Sequence, residues 1–480
     1  MRELALIAAP LLTAALAVVW PTERTRPWLL PAAGLVHAVF ALWLMVTPPT
    51  LVANVWFGFD PMARATLPMV SLLFLVCSVY GVAYLKLRVE RRNRLFIAAL
   101  LVLLGLLSLA LQAQHLGLLW VAAEAATLVT VPLLHFNGTA RAFEASWKYL
   151  LIGGTGIALS LLGSFCLGYA SLHGGGGGDL TFAALAARGA SLTRPWLIAA
   201  WVLLLAGYGT KMGLAPMHTW KPDAYGEAPG VVGALLAGGM TTMAFVAVLR
   251  VKQVADAAGA NAMTERTLLA FGLFSMLVAA LFLLGTPDFK RMLAYSSVEH
   301  MGILTVGAAL GGAGIWAALF HVWTNSLTKG ALFLSAGNIR RAAGGRTVDE
   351  VAGMAWRSPI SARMFVVGVL AVTACPPFGP FFSELRIVAA AFQSNNKLVA
   401  AAFLGCLLFA FFGLTRLMFA IVDGRPRAAA RAIGKRFPET SGIVLPPLVF
   451  LVFSLWLGLA TPSLLRETWN AAAKLLFPTP

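Results

Sequence analysis

Five ionisable side chains, Glu124, Lys211, His321, Lys329 and Glu384, stand within or beside runs of apolar residues long enough to cross a bilayer. A charge at that depth costs about 3 kcal/mol on insertion scales, so it is paired, faces a cavity, or has a job. Lys211 lies in Gly207-Tyr208-Gly209-Thr210-Lys211-Met212-Gly213-Leu214-Ala215-Pro216-Met217-His218-Thr219-Trp220, where Gly209, Gly213 and Pro216 loosen the helical ladder. Irregular backbone survives inside a membrane only where protein or water satisfies it. A broken helix carrying a lysine therefore has the form of an ion-translocation site. Glu124 is set among alanines that let a neighbouring helix come close, and it is the expected partner of Lys211. Each member of such a pair sets the other's proton affinity, so their separation decides whether Lys211 holds or releases a proton. A static ion pair locking the two helices is the alternative.

A second constellation is His321-Val322-Trp323-Thr324-Asn325-Ser326-Leu327-Thr328-Lys329. The spacing of four puts His321, Asn325 and Lys329 on one helix face, a polar ladder about 12 Å long at 1.5 Å per residue. Histidine suits a proton relay because its ordinary pKa lies near neutrality. An interhelical hydrogen-bond seam is the alternative. Downstream, Cys375-Pro376-Pro377-Phe378-Gly379-Pro380 breaks a helix just before Phe381-Phe382-Ser383-Glu384. Further wire or uptake candidates are His218 and Tyr295, together with Glu299 and His300. The last two are expected near the entrance of their span, feeding protons, touching an adjoining subunit or capping the helix. Glu144 and Lys148 read as an interfacial pair, and Asp223 and Glu227 as acids that fix a loop.

The elements that must position these groups are membrane helices. Of 480 residues 59% are hydrophobic and only 11% charged, with mean hydropathy +0.82, about half the charge of a soluble globule. Spans are expected near 4–20, 28–47, 65–85, 95–111, 116–136, 146–170, 195–215, 229–249, 267–285, 292–311, 314–337, 360–390, 398–422 and 441–461. The fold class is thus all-α and polytopic, with about fourteen transmembrane helices. The breaks in spans 7 and 12 suggest two inverted five-helix repeats. The expected units are 1–94, with three spans; 95–252, the first repeat; 253–423, the second; and 424–480, the last helix and a short tail. Gly174 to Gly178 reads as a flexible loop. Basic clusters such as Lys86 to Arg94, Arg340 to Arg346 and Arg425 to Arg436 follow odd-numbered spans, which puts both termini on the non-cytoplasmic side. The net charge of +17 is explained by that topology and by anionic lipid, not by nucleic acid. Four cysteines without a Cys-x-x-Cys pair argue against iron–sulfur, zinc or disulfide sites. No metal or cofactor is expected in this chain, and no nucleophile or phosphate-loop constellation marks a free-standing enzyme.

Glu124, the run from Lys211 through Pro216 to Trp220, Pro222-Asp223-Ala224 with Glu227-Ala228-Pro229, and Ala294-Tyr295-Ser296-Ser297 resemble the antiporter-like proton-translocating subunits of complex I, group 4 membrane-bound hydrogenases including formate hydrogenlyase, and Mrp antiporters. The resemblance covers roughly residues 60 to 420, and Tyr295-Ser296-Ser297-Val298-Glu299-His300 is similar to the hydrogenase-type form. It implies that Glu124 and Lys211 are the coupling pair, that His321 and Lys329 occupy central water-wire positions, and that Glu384 is the terminal carrier. Relatives often carry a base in span 8, where this chain has Ala237-Gly238-Gly239-Met240-Thr241-Thr242-Met243, so Thr241 or Thr242 is expected to hold connecting water. Asn325 stands where a second histidine is common. The resemblance further implies a non-catalytic proton-channel subunit of a redox-driven translocase in the inner (plasma) membrane, with membrane subunits and peripheral redox or metal-containing subunits as partners. The alternatives are an Mrp-type subunit, the proton-conducting partner of a soluble metal protein in bicarbonate uptake, and a scaffold whose wire no longer conducts.

Overall fold

The structure, a computed structural model, describes residues 2–49, 56–175, 177–424 and 438–477. The basic cluster Arg425 to Arg436 and Gly176 of the glycine loop lie outside the described residues. Among the described residues the chain runs as fourteen spanning helices in sequence order, two of them broken. They are α1 (Arg2–Val19), α2 (Leu29–Val46), α3 (Pro61–Lys86), α4 (Arg94–Gln112), α5 (Leu116–Leu134) and α6 (Ala140–His173); the broken α7a (Arg194–Met212) and α7b (Trp220–Glu227); α8 (Gly230–Ala257), α9 (Asn261–Gly285), α10 (Phe289–Ala309) and α11 (Gly311–Ala343); the broken α12a (Pro359–Val372) and α12b (Gly379–Gln393); and α13 (Lys397–Val422) and α14 (Ser441–Leu459). Every expected span is present. The hydropathy that defines them also sorts them, because helices such as α2 and α13 expose leucine and valine outward while α8 is buried along nearly its whole length.

Both breaks occur where the sequence removes the helical ladder, and the first is sealed by protein. Helix α7a ends at Gly213, whose φ of 82° needs a residue without a Cβ; the amides of Gly213 and Leu214 close onto the Gly209 carbonyl at 2.8 and 2.9 Å. The carbonyls left over accept from side chains beyond the break: Trp220 Nε1 donates to Thr210 O at 2.8 Å, and Lys221 Nζ to Met212 O at 2.9 Å. Ser275 of α9 accepts from the Ala215 amide at 2.9 Å. This is the condition under which irregular backbone is tolerated in a membrane. In α8, residues Leu236–Met240 form a π-turn.

Glycine sets the closest helix approaches. A Cβ on Gly207 of α7a would stand 2.4 Å from the Gly156 carbonyl of α6, and one on Gly302 of α10 would stand 2.6 Å from the Gly272 carbonyl of α9. Van der Waals contact between backbones replaces the hydrophobic drive that lipid removes.

One element goes beyond the expected short tail. Ser463–Leu476 is a helix, α15, whose Leu465, Trp469, Ala472 and Leu476 face inward. Trp469 packs 5.4 Å from Trp316 and 5.1 Å from Phe320 of α11. Its apolar residues recur at helical spacing but are too few for a span, which is why hydropathy alone leaves it as a tail.

The glycine contacts generate a matched pair of substitutions. Gly207→Ala should destabilise the protein by roughly 1–3 kcal/mol through overpacking against backbone. Gly154→Ala, where nothing lies within 4 Å of the new Cβ, should be neutral or slightly stabilising. Thermal unfolding in detergent measures both, and equal melting temperatures would refute the packing argument.

Candidate functional site

In the first half of the molecule, α5 carries Glu124, flanked by buried Ala122, Ala123 and Ala126 and itself half-buried. Its Oε2 is buried without a hydrogen-bond partner. Lys211, in the last turn of α7a, is 1% exposed, and its Nζ makes no hydrogen bond. The ammonium occupies the niche left by Gly153 of α6, where a Cβ would stand 2.6 Å from Nζ. It lies 5.1 Å over the Tyr149 ring, a cation–π contact that partly replaces hydration. Tyr149 is fixed in turn by the Thr130 hydroxyl, which donates to it at 2.7 Å, and by the edge of Trp220 at 5.1 Å. Glu124 and Lys211 feel each other's charge, yet among the described residues no ion pair within 4 Å joins them. The static lock is therefore not what this arrangement presents; the aromatic face holds the lysine instead.

The second half holds two hydrogen-bonded groups. Lys329 of α11 is fully buried and donates to Ser296 Oγ of α10 at 2.6 Å. His321, two turns earlier on the same face, shares a 2.9 Å hydrogen bond from Nε2 to His300 Nδ1, with the rings stacked at 5.1 Å. Its Nδ1 bonds Ser383 Oγ of α12b at 2.8 Å. The next residue, Glu384, is 2% exposed, and both carboxylate oxygens lack a partner. Asn325, between His321 and Lys329, keeps a buried Oδ1 without a partner. The charge of Lys329 acts on Glu299 and Glu384 and on both imidazoles.

One expectation changes here. Glu299 and His300 do not stand at the entrance of their span. Helix α10 begins at Phe289 and is capped by Asp288, which accepts from the Lys290 and Arg291 amides at 3.0 and 3.1 Å. Both residues are buried well inside it, at 3% and 1% exposure, so neither caps the helix. The hydroxyls of Thr241 and Thr242 donate to their own helix, to Ala237 O at 2.6 Å and Gly238 O at 2.5 Å, the ordinary behaviour of threonine within a helix. Tyr295 stacks on Phe282 at 4.7 Å with His218 beside it at 6.1 Å. This aromatic group stands apart from the bonded chain of His300, His321 and Ser383. The remaining acids behave as expected, since Lys148 bonds Glu144 at 2.6 Å and Asp223 at 3.1 Å, while Arg346 and Arg340 bond Glu227 at 2.5 and 3.1 Å.

A side chain that sequence reasoning missed stands at the junction. Lys221 of α7b is fully buried, and besides Met212 O it donates to Ser297 O of α10 at 3.3 Å. It feels the charge of Lys329 in the second half. Hydropathy leaves Lys221 in a loop between spans 7 and 8, beside Pro222 and Asp223. The available signal was its place within three residues of His218 and Trp220, in the stretch that must fold back into the membrane.

The arrangement can pass protons. Three lysines and two carboxylates are buried, with Glu124 half-buried beside them and imidazoles and hydroxyls bridging one half. Donor atoms of His300, His321 and Glu384 converge within 4.8 Å, close enough to hold a cation. The charge of Lys329 facing the same groups opposes a metal ion and favours proton exchange there.

Residues 113–410 match the family described as NADH:quinone oxidoreductase/Mrp antiporter, TM. The chain is 35% identical to a hydrogenase-4 component F homolog of Methylacidiphilum infernorum, over 72% of this chain and 74% of that one. It is 33% identical to an NADH-quinone oxidoreductase subunit N of Desulforudis audaxviator, over 78% and 74%. Among solved structures, a chain of the membrane-bound sulfane sulfur reductase, an archaeal respiratory membrane complex, superposes with TM-score 0.88 at 22% identity, over 99% of this chain and 98% of that one. A chain of the Mrp complex from Dietzia sp. superposes with TM-score 0.87 at 22% identity, over 100% and 97%.

Proposed function

Since the chain belongs to the NADH:quinone oxidoreductase/Mrp antiporter transmembrane family, we propose that it is a proton-translocating membrane subunit of a multisubunit energy-converting complex. The observation that carries this reading is the set of lysines and carboxylates buried from Glu124 to Glu384. A static fold gains little from such groups, whereas a translocator needs them. On this reading Lys211 takes up a proton, and movement of Glu124 relative to it changes the proton affinity of both. Lys221 relays charge across the junction, filling the role for which α8 offers no base. Lys329 with Glu299, then His300 and His321, carry the proton toward Glu384. Driving one charge against 100 mV costs about 2.3 kcal/mol, and one pKa unit is worth about 1.4 kcal/mol. A swing of roughly two units therefore suffices per proton.

The finer assignments belong to the same proposal. They are the inner membrane with both termini on the non-cytoplasmic side, the pairing of residues 95–252 and 253–423 as inverted repeats, and peripheral redox subunits as the source of driving force. Mild-detergent purification followed by mass spectrometry tests the last: iron–sulfur partners support it, and recovery with other antiporter-type subunits alone overturns it.

Two variant series test the path, with proton movement read by a pH-sensitive dye in vesicles containing the whole complex. Lys211→Ala and Glu124→Gln should abolish coupled proton movement while the complex still assembles; intact transport in Lys211→Ala would refute the assignment. Lys221→Met should slow it at least about tenfold, some 1.4 kcal/mol in barrier. Lys221→Arg keeps the donors to Met212 and Ser297 but holds its proton permanently. It should assemble normally and remain slow, and full recovery in this variant would make Lys221 a structural donor only.

A further inference from the structure

The loop between α1 and α2, the end of α3 and the α3–α4 connection enclose a cavity of about 740 Å³. Its cations are Arg24, Lys86, Arg88 and Arg91, against one acid, Glu23. Little of that charge is neutralised. Arg88 bonds Glu90 at 2.8 Å. Glu23 is engaged at 3.8 Å with Arg26, which is buried behind the cavity and held by Asn93 Oδ1 at 2.8 Å and Trp20 O at 2.6 Å. Among the described residues Arg91 hydrogen-bonds a backbone carbonyl, Asn137 O at 2.8 Å, and no acid. Among the described residues neither Arg24 nor Lys86 has an acidic partner; the Lys86 ammonium lies 5.5 Å over the Trp28 ring.

The walls are of the opposite character. Pro27, Trp28, Leu85 and Val89 line the same space. Trp28 is 57% exposed at the start of α2, the position of an interfacial indole. The ends of four spans meet here, so the cavity lies at one membrane boundary. Below it α2 turns Leu35, Val36 and Val39 outward, and α4 turns Leu95 outward.

We propose that this cavity binds the phosphate-bearing headgroup of an anionic phospholipid. Guanidinium groups of Arg24 and Arg91 suit phosphate oxygens, and basic pockets between spanning helices are where such headgroups lodge. The apolar walls and the lipid-facing helices beneath favour a lipid over free phosphate, since only a lipid has acyl chains to lay along them. The inference is independent of the proton path, because no residue of that path lines the cavity.

The test uses the intact complex, delipidated and then titrated separately with phosphatidylglycerol, phosphatidylcholine and inorganic phosphate. Native mass spectrometry counts bound lipid, and thermal unfolding reads the effect. Phosphatidylglycerol should be retained and raise the melting temperature, whereas phosphatidylcholine and inorganic phosphate should not. Arg24→Gln with Lys86→Gln, which breaks no bond to an acid or carbonyl, should weaken retention roughly thirtyfold. Adding Arg91→Gln should abolish it. An equal response to inorganic phosphate would make the site one for free anions, and unchanged lipid retention in the double variant would overturn the proposal.

Discussion

Everything in this molecule answers to the absence of water in the middle of the membrane. A backbone group freed there, or a charge placed there, must find its partner within protein. The chain frees backbone twice, after α7a and after α12a, and places charges beside both breaks. At the first break the two demands are met together, because Lys221 donates to the Met212 carbonyl that the break exposes. The cost of interrupting the helix and the cost of burying an ammonium thus offset each other. A lysine that only sealed the carbonyl would not also need to reach Ser297 on α10. That second bond ties the first half of the molecule to the second.

The two halves hold their charges in different ways, and the difference has mechanical consequences. In the second half Lys329 bonds Ser296 at 2.6 Å, and His300, His321 and Ser383 form a separate chain with bonds of 2.9 and 2.8 Å. Proton transfer along such contacts needs little more than tautomer exchange. In the first half Lys211 rests on an aromatic ring and a glycine niche, without a hydrogen bond, and Glu124 stands off from it. A cation–π contact is broad and weakly directional compared with an ion pair, so the lysine can be drawn toward or away from Glu124 without breaking a strong bond. Control belongs where the geometry is loose.

Much of this was legible from composition and spacing. Hydropathy finds spans because the bilayer imposes one length on all of them, and all fourteen are present. The i, i+4 register of His321, Asn325 and Lys329 follows from helix geometry alone. What failed to show were relations between segments. Lys221 sits among residues polar enough to read as a loop, and only the fold carries that loop back inside. Glu299 and His300 lie close in sequence to a basic turn, so counting from the span edge put them at an entrance. In space α11 packs over them, and His321 meets His300 at 2.9 Å. Helix α15 was lost because the span criterion asks for length, while its role is to cover α11 with one apolar face.

The unpartnered atoms carry the last step. Glu124 Oε2, Lys211 Nζ, Asn325 Oδ1 and both oxygens of Glu384 are buried without a hydrogen-bond partner. Leaving one such polar group unsatisfied costs about 1–3 kcal/mol, more if charged. A fold selected for stability alone would pair or replace them. Ser297 Oγ and His300 Nε2 on α10 are in the same state, so such atoms run through both halves of the row. A group that must accept a proton from outside the row, or pass one out, needs a free valence at that place. Uncommitted donors and acceptors in both halves are what the proposed proton path requires, since each carrier must in turn take and release a proton.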